Sequence, residues 1–173
     1  MDVFVEYMVK RKKTAMDYIK VLGILVTGLL IVFILPMFAA WIPMIGSLLF
    51  VVVALVVYLM YKLVTSINVE YEYTLTNSEM DVDKIINLRS RKKVTEVNFH
   101  KIECFASIRN AAFNNYSKDF NIKKIYACRD SRDDETYFVV YENDDKRTML
   151  LFTPNEKMCK NIKMLNPQKC MID

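Results

Sequence analysis

Residues 21–61 read VLGILVTGLLIVFILPMFAAWIPMIGSLLFVVVALVVYLMY, a run of 41 residues without one charged side chain, closed by Lys20 on one side and Lys62 on the other. About 20 apolar residues rising roughly 1.5 Å each cross the hydrocarbon core of a bilayer, so the run suffices for two crossings and is too long for one. The break belongs near Ala40-Trp41-Ile42-Pro43, because Pro43 disfavours helical geometry at Ile42 and has no N–H to donate. The spans are then Val21 to about Trp41 and about Met44 to Leu63, a two-helix membrane hairpin over 21–63. Pro36 is predicted to lie inside the first span, since a helix ending there would be too short to cross.

Lys10, Arg11, Lys12, Lys13 and Lys20 precede this hairpin, Lys62 follows it, and the connecting turn carries no cation. Positive charge stays on the cytoplasmic side, which predicts a multi-pass protein of the plasma membrane with both termini cytoplasmic and Trp41 near the far interface. A basic segment before an apolar run also has the outline of a secretory signal, but neither Met37-Phe38-Ala39 nor Phe38-Ala39-Ala40 offers two small residues for cleavage, and a second span follows at once. The segment is expected to be retained. In the basic arm 1–20, Phe4, Met8, Ala15 and Ile19 recur at helical spacing around Arg11, Lys12 and Lys13. Two readings stand: an interfacial helix lying on the membrane, or a cytosolic extension of the first span.

Past Lys62 the pattern changes to strict alternation. Val69, Tyr71, Tyr73 and Leu75 alternate with Glu70, Glu72, Thr74 and Thr76, the signature of a half-buried strand. Asn77-Ser78 supplies turn chemistry, and Met80, Val82, Ile86 and Leu88 continue as the returning strand of a hairpin. Further strands are predicted at Val94 to Phe99, Ile102 to Ile108, Ile122 to Arg129, Glu135 to Glu142 and Arg147 to Phe152, about seven in all. Short strands at this spacing favour an antiparallel barrel or sandwich. The chain closes on an amphipathic helix, with Thr153 read as N-cap, Pro154 at the first helical position, Glu156 completing a capping box, and Met158, Ile162 and Leu165 on the apolar stripe. Asn166-Pro167 is predicted to end it.

The segments Tyr71-Glu72-Tyr73-Thr74-Leu75-Thr76, Met80-Asp81-Val82-Asp83-Lys84-Ile85 and Leu151-Phe152-Thr153-Pro154-Asn155-Glu156 resemble the bacterial pleckstrin-homology-like (PH-like) domains, in the subgroup where a membrane hairpin precedes the domain. The resemblance spans about 69–166 and the membrane hairpin. It implies an α+β architecture: a bent, seven-stranded antiparallel sheet or partial barrel over 67–173, capped by the C-terminal helix and used for binding and assembly. Phosphoinositide-binding members of the wider fold resemble one another in a basic first hairpin loop. Here that loop is Thr76-Asn77-Ser78-Glu79, so recognition of inositol phospholipids by that route is not expected.

Little in the domain suggests chemistry. Gly23, Gly28 and Gly46 all lie in the membrane hairpin, which excludes glycine-rich phosphate loops downstream. His100 is the single histidine, without a ligand cluster around it, and Cys104, Cys128, Cys159 and Cys170 match neither a zinc site nor a disulfide framework. Asp133-Asp134-Glu135 and Asp144-Asp145 read as solvated turns. No catalytic residue, metal or cofactor is expected. From Ile67 onward basic and acidic side chains nearly balance, which argues against nucleic acid as a partner.

Two groups remain as candidate binding residues. Arg89, Arg91, Lys92 and Lys93 are read as a basic loop able to meet anionic lipid headgroups, or as a solvated turn that discourages strand aggregation. Phe113, Tyr116 and Phe120, in the long connection Arg109 to Asn121, are read as partner-facing aromatics or as cover for a sheet edge. The expected function is that of a non-enzymatic, membrane-anchored module that presents its domain to a protein partner or to itself; the alternative is a sensor of anionic headgroups through residues 89–93.

Overall fold

A computed structural model describes residues 3–39, 46–143 and 146–171. The chain forms two compact units, one of residues 13–68 and one of the N-terminal residues through Lys12 together with Val69 onward. The expected break at Ala40 to Pro43 lies outside the described residues.

The first unit is a pair of helices, α1 (Ala15–Ala39) and α2 (Gly46–Thr65). Both are long and apolar enough to cross a membrane, and side chains such as Phe33 and Phe50 are left uncovered. Helix α1 begins six residues before the expected start at Val21 and runs through Pro36. At its start the Thr14 N–H and hydroxyl both donate to the Asp17 carboxylate, at 2.9 and 3.0 Å, so the acidic side chain reaches back to satisfy a backbone N–H ahead of the first turn, as one half of a capping box does. Gly28 faces Met60 of α2 so closely that a Cβ would overlap the thioether, a helix contact that small residues permit in lipid.

The second unit corrects the reading of the N-terminal arm. Residues Phe4–Lys10 form a strand, β1, and not a helix. It pairs antiparallel with β2 (Val69–Thr76) from Phe4 opposite Thr76 to Lys10 opposite Glu70. The buried side chains are Val5 and Val9, with Val3 and Tyr7 packed beside them. Period two governs the segment, and Phe4 and Met8, which suggested a helix, stay exposed. The two apolar helices are therefore an insertion between two neighbouring strands of one sheet.

That sheet has the order β1-β2-β3-β4, with β3 (Glu79–Ile86) and β4 (Ser90–Asn98) following β2 as consecutive hairpins. A second sheet contains β5 (Ile102–Ser107), β6 (Lys123–Ala127), β7 (Tyr137–Asn143), β8 (Lys146–Phe152) and the short β9 (Cys170–Met171), in the order β6-β8-β7-β5-β9. Seven of these nine described strands fall where alternation placed them. Strands β1 and β9 are additional, and the sheet is not wholly antiparallel: β6 runs parallel to β8, and β9 to β5. The β7–β8 hairpin, which follows β6 in sequence, puts β8 between β6 and β7, and the crossover fixes the parallel direction.

The core lies between the sheets and is plugged by Met158 and Ile162 of α4 (Glu156–Leu165). A smaller apolar cluster on the other face of the second sheet, around Phe138, Val140, Met149 and Leu151, is covered by α3 (Ala111–Lys118). Burial on both faces explains why β7 and β8 read as nearly continuous apolar runs. The cap of α4 is Asn155, which accepts from Met158 N at 2.8 Å, and not Thr153. The Thr153 hydroxyl instead accepts from Arg129 N at 3.1 Å, tying β6 to the end of β8. Asn166 and Pro167 end the helix as expected.

Candidate functional site

One end of the first sheet gathers several features that the sequence keeps apart. There Arg11 N donates to Val69 O at 3.0 Å and Lys12 N to Arg129 O at 2.9 Å, so the chain leaves and re-enters this unit at adjacent points. Val69 also pairs with Ile86, and Ile86 with Ser90, which brings the β3–β4 turn to the same end. The first hairpin loop, 76–79, is at the other. The β3–β4 turn closes with Arg89 N donating to Ile86 O at 3.2 Å. Asn87 and Leu88 both adopt left-handed backbone, with φ of 52° and 56°. Two consecutive positive φ values define the mirror-image hairpin turn, whose second position glycine fills without cost. Leucine there costs roughly 1–2 kcal/mol, and its side chain is 77% exposed.

The expected basic loop is divided by the strand. Only Arg89 lies in the turn; Arg91, Lys92 and Lys93 belong to β4 and alternate between its faces. Arg91 is bonded to Glu72 and lies 3.9 Å from Asp83. Lys93 bridges Asp81 at 2.7 Å and Glu96 at 2.8 Å, bonds that hold its ammonium well above the usual lysine range. These two cations are therefore already partnered, which corrects the reading of four available charges. Lys92, on the opposite face, stands directly across from Lys84 in the β3–β4 register. Like charges facing one another in a sheet are destabilising.

Glu72 is 4% exposed although it carries a carboxyl on the outer face of the sheet. Burial first, and then hydrogen bonding to the neighbouring Glu6 carboxyl, raise its pKa above the usual glutamate range, and Arg91 opposes the shift without cancelling it. The folded state therefore holds this proton more tightly than the unfolded chain does. Its contribution to stability is complete below the ordinary glutamate range and is lost as pH rises through the raised value. Glu72→Gln is expected to gain stability relative to the native chain across that window, read as the difference between their Tm values against pH. A difference that stays flat with pH would remove the assignment.

The three aromatic candidates separate. Phe113 and Tyr116, on α3, turn onto Phe138 with ring centroids 5.4 and 6.0 Å away. Arg147 lies 5.9 Å from the Tyr116 ring centre and grips Glu103 with two bonds, at 3.0 and 2.7 Å. Both half-buried rings thus pack on the second sheet, in line with the covering alternative. Phe120 remains, 99% exposed beyond the helix end.

Sequence reasoning missed the free edge of β1. Val3 O accepts from Asn77 N just past the end of β2, and Arg11 N donates to Val69 O at its start, so by alternation the N–H and C=O groups of Phe4, Glu6, Met8 and Lys10 point away from β2. Among the described residues no strand pairs with that side. A groove borders it: one cavity of about 350 Å³ runs along Tyr7 to Lys12 beside Arg129. Another of about 700 Å³ lies among Tyr7, Tyr137, Asn155, Cys159 and Lys163 at the start and flank of α4. The alternation of Val3, Val5, Tyr7 and Val9 was the signal available for this strand.

All four cysteines are free thiols, and burial pushes Cys128 and Cys159 up to about 11. Among the described residues no group of His, Cys, Asp and Glu is arranged to hold a metal. No curated protein and no solved structure matches the chain. A family model described as Bacterial PH-like domain (DUF6106) matches residues 1–172, and with nearly its whole length covered the chain belongs to that family.

Proposed function

We propose that this protein is a non-enzymatic, membrane-anchored binding module. In this reading the two helices fix it in the plasma membrane as a hairpin, and the basic residues on both flanks keep the termini and the PH-like domain on the cytoplasmic side. The domain then offers the free edge of β1 to an extended segment of a protein partner, which adds as a further strand. The observation that carries the reading is the unpaired edge bordered by the groove toward α4. Main-chain bonds along such an edge supply affinity, and pockets beside it supply specificity.

A photoreactive side chain at Phe4 of the full-length chain, expressed in its native membrane, is expected to form adducts that the same group at Lys157, on exposed α4 surface, does not. Met8→Pro removes an outward-facing N–H and leaves the β1–β2 ladder intact, so it is expected to abolish those adducts without changing Tm. Adducts with a second copy of the chain would identify self-assembly through the same edge. Adducts at Phe4 no stronger than at Lys157 would reject the reading.

A further inference from the structure

We propose that the end of the first sheet carrying the β3–β4 turn is a second membrane contact, in which Lys84, Arg89 and Lys92 take anionic lipid headgroups and Leu88 enters the interface between them. This function is independent of strand addition at β1 and uses other residues.

Three observations carry it. The first is connectivity. The chain passes from the domain to the two apolar helices after Lys12 and returns at Val69, and both points sit at this end beside the turn. Only residues 13–14 precede α1 and only residues 66–68 follow α2. A residue spans at most about 3.3–3.6 Å, so with the helices in the membrane, as proposed above and on which this inference rests, links this short hold the end within reach of the headgroup layer.

The second observation is charge. Arg91 and Lys93 are neutralised by Glu72, Asp81, Asp83 and Glu96 on the outer face. Lys84 and Lys92 face each other on the other side of the sheet, where the register sets Tyr71 beside Lys84 and no carboxylate in that row. A facing pair of lysines is unfavourable in the isolated domain and becomes favourable when an anion lies between them. Arg89 adds a third cation at the tip.

The third is Leu88. An exposed leucine held in left-handed backbone costs free energy twice, in sterics and in hydration. Strain of this kind persists at positions where the side chain has a task. Flanked by cations at the membrane-tethered end, burial among acyl chains recovers the hydration cost.

The test uses the full-length chain reconstituted in vesicles, with Leu88→Trp introduced into a Trp41→Phe background and brominated acyl chains as quencher. The expected result is strong quenching of the new indole in vesicles containing phosphatidylglycerol, weak quenching in phosphatidylcholine alone, and loss of the difference at high salt. Each of Lys84→Gln, Arg89→Gln and Lys92→Gln should lower the docked population about fivefold, the equivalent of about 1 kcal/mol per cation near an anionic surface. Lys84→Gln should at the same time leave Tm unchanged or raise it, which separates lost docking from lost folding. An indole placed by Ser78→Trp at the opposite turn should stay unquenched. Equal quenching in neutral and anionic vesicles, or no quenching at position 88 in either, would overturn the proposal; so would a triple glutamine variant that docks as the native chain does.

Discussion

A chain in which residues 13–68 are replaced by a loop of about four Gly and Ser residues is expected to fold as a soluble domain, whereas a fragment beginning at Ile67 is expected to aggregate. The contrast follows from the insertion of the two apolar helices between β1 and β2. The two cut ends lie side by side: Lys10 pairs with Glu70, and Arg11 N donates to Val69 O at 3.0 Å. Partners in such a pair have Cα atoms about 5.5 Å apart, a gap that an ordinary hairpin loop closes. The fragment from Ile67 lacks β1 altogether. It loses the buried Val5 and Val9 and the packing of Tyr7 on Tyr73, whose rings lie 6.5 Å apart. Each fully buried valine contributes roughly 1.5–3 kcal/mol, against a total stability of about 5–15 kcal/mol for a domain of this kind. The loss also turns β2 into an unprotected edge alternating Val69, Tyr71, Tyr73 and Leu75, a template for aggregation. Size-exclusion chromatography with near-UV circular dichroism distinguishes the two proteins, and a monodisperse, cooperatively unfolding fragment from Ile67 would sink the argument.

That dependence on β1 marks where the sequence stops being legible. The two helices announce themselves because 41 consecutive residues carry no charge, and β2 through β8 follow from alternation that each strand displays by itself. Strand β1 was hidden although its own alternation is present, because Phe4 and Met8 also fit a helical period and the strand that decides between them, β2, comes after both apolar helices. The cap of α4 was misplaced by two residues because Thr153 and Asn155 are both good caps in isolation; only the fold draws the Thr153 hydroxyl to Arg129 N. The same holds at the basic segment. Composition gives four cations in five residues, 89–93, but whether each is neutralised depends on register with Glu72, Asp81 and Asp83, which is set by pairing between strands and not by neighbours in sequence. Lys84 drew no attention for that reason, and its position opposite Lys92 exists only in the folded sheet.

The largest effect of a single side chain is expected at Phe105. It is fully buried and sits in the middle of a continuous row of rings: Phe99 at 6.1 Å edge to face, Phe152 at 5.8 Å stacked, and Tyr137 at 5.6 Å. Phe152 in turn meets the edge of Tyr73 at 5.6 Å, and the Tyr73 hydroxyl donates to the Ala127 carbonyl and accepts from Thr153 N. The row thus joins β2 of the first sheet to β5, β7 and β8 of the second. Phe105→Ala removes its centre and leaves a cavity that rigid neighbours on both sides cannot collapse into, at an expected cost of about 3–5 kcal/mol. Phe120→Ala, by contrast, removes a ring already in solvent and should stay within about 0.5 kcal/mol. Denaturant unfolding of the full-length chain in detergent, followed by the near-UV signal of the tyrosines, measures both. Phe105→Leu adds a discriminating step. It keeps most of the volume while giving up the ring geometry, worth about 0.5–1.5 kcal/mol beyond area, so it should recover the greater part of the alanine loss. If leucine costs as much as alanine, the sheets are held by the orientation of the rings and not by the space they fill.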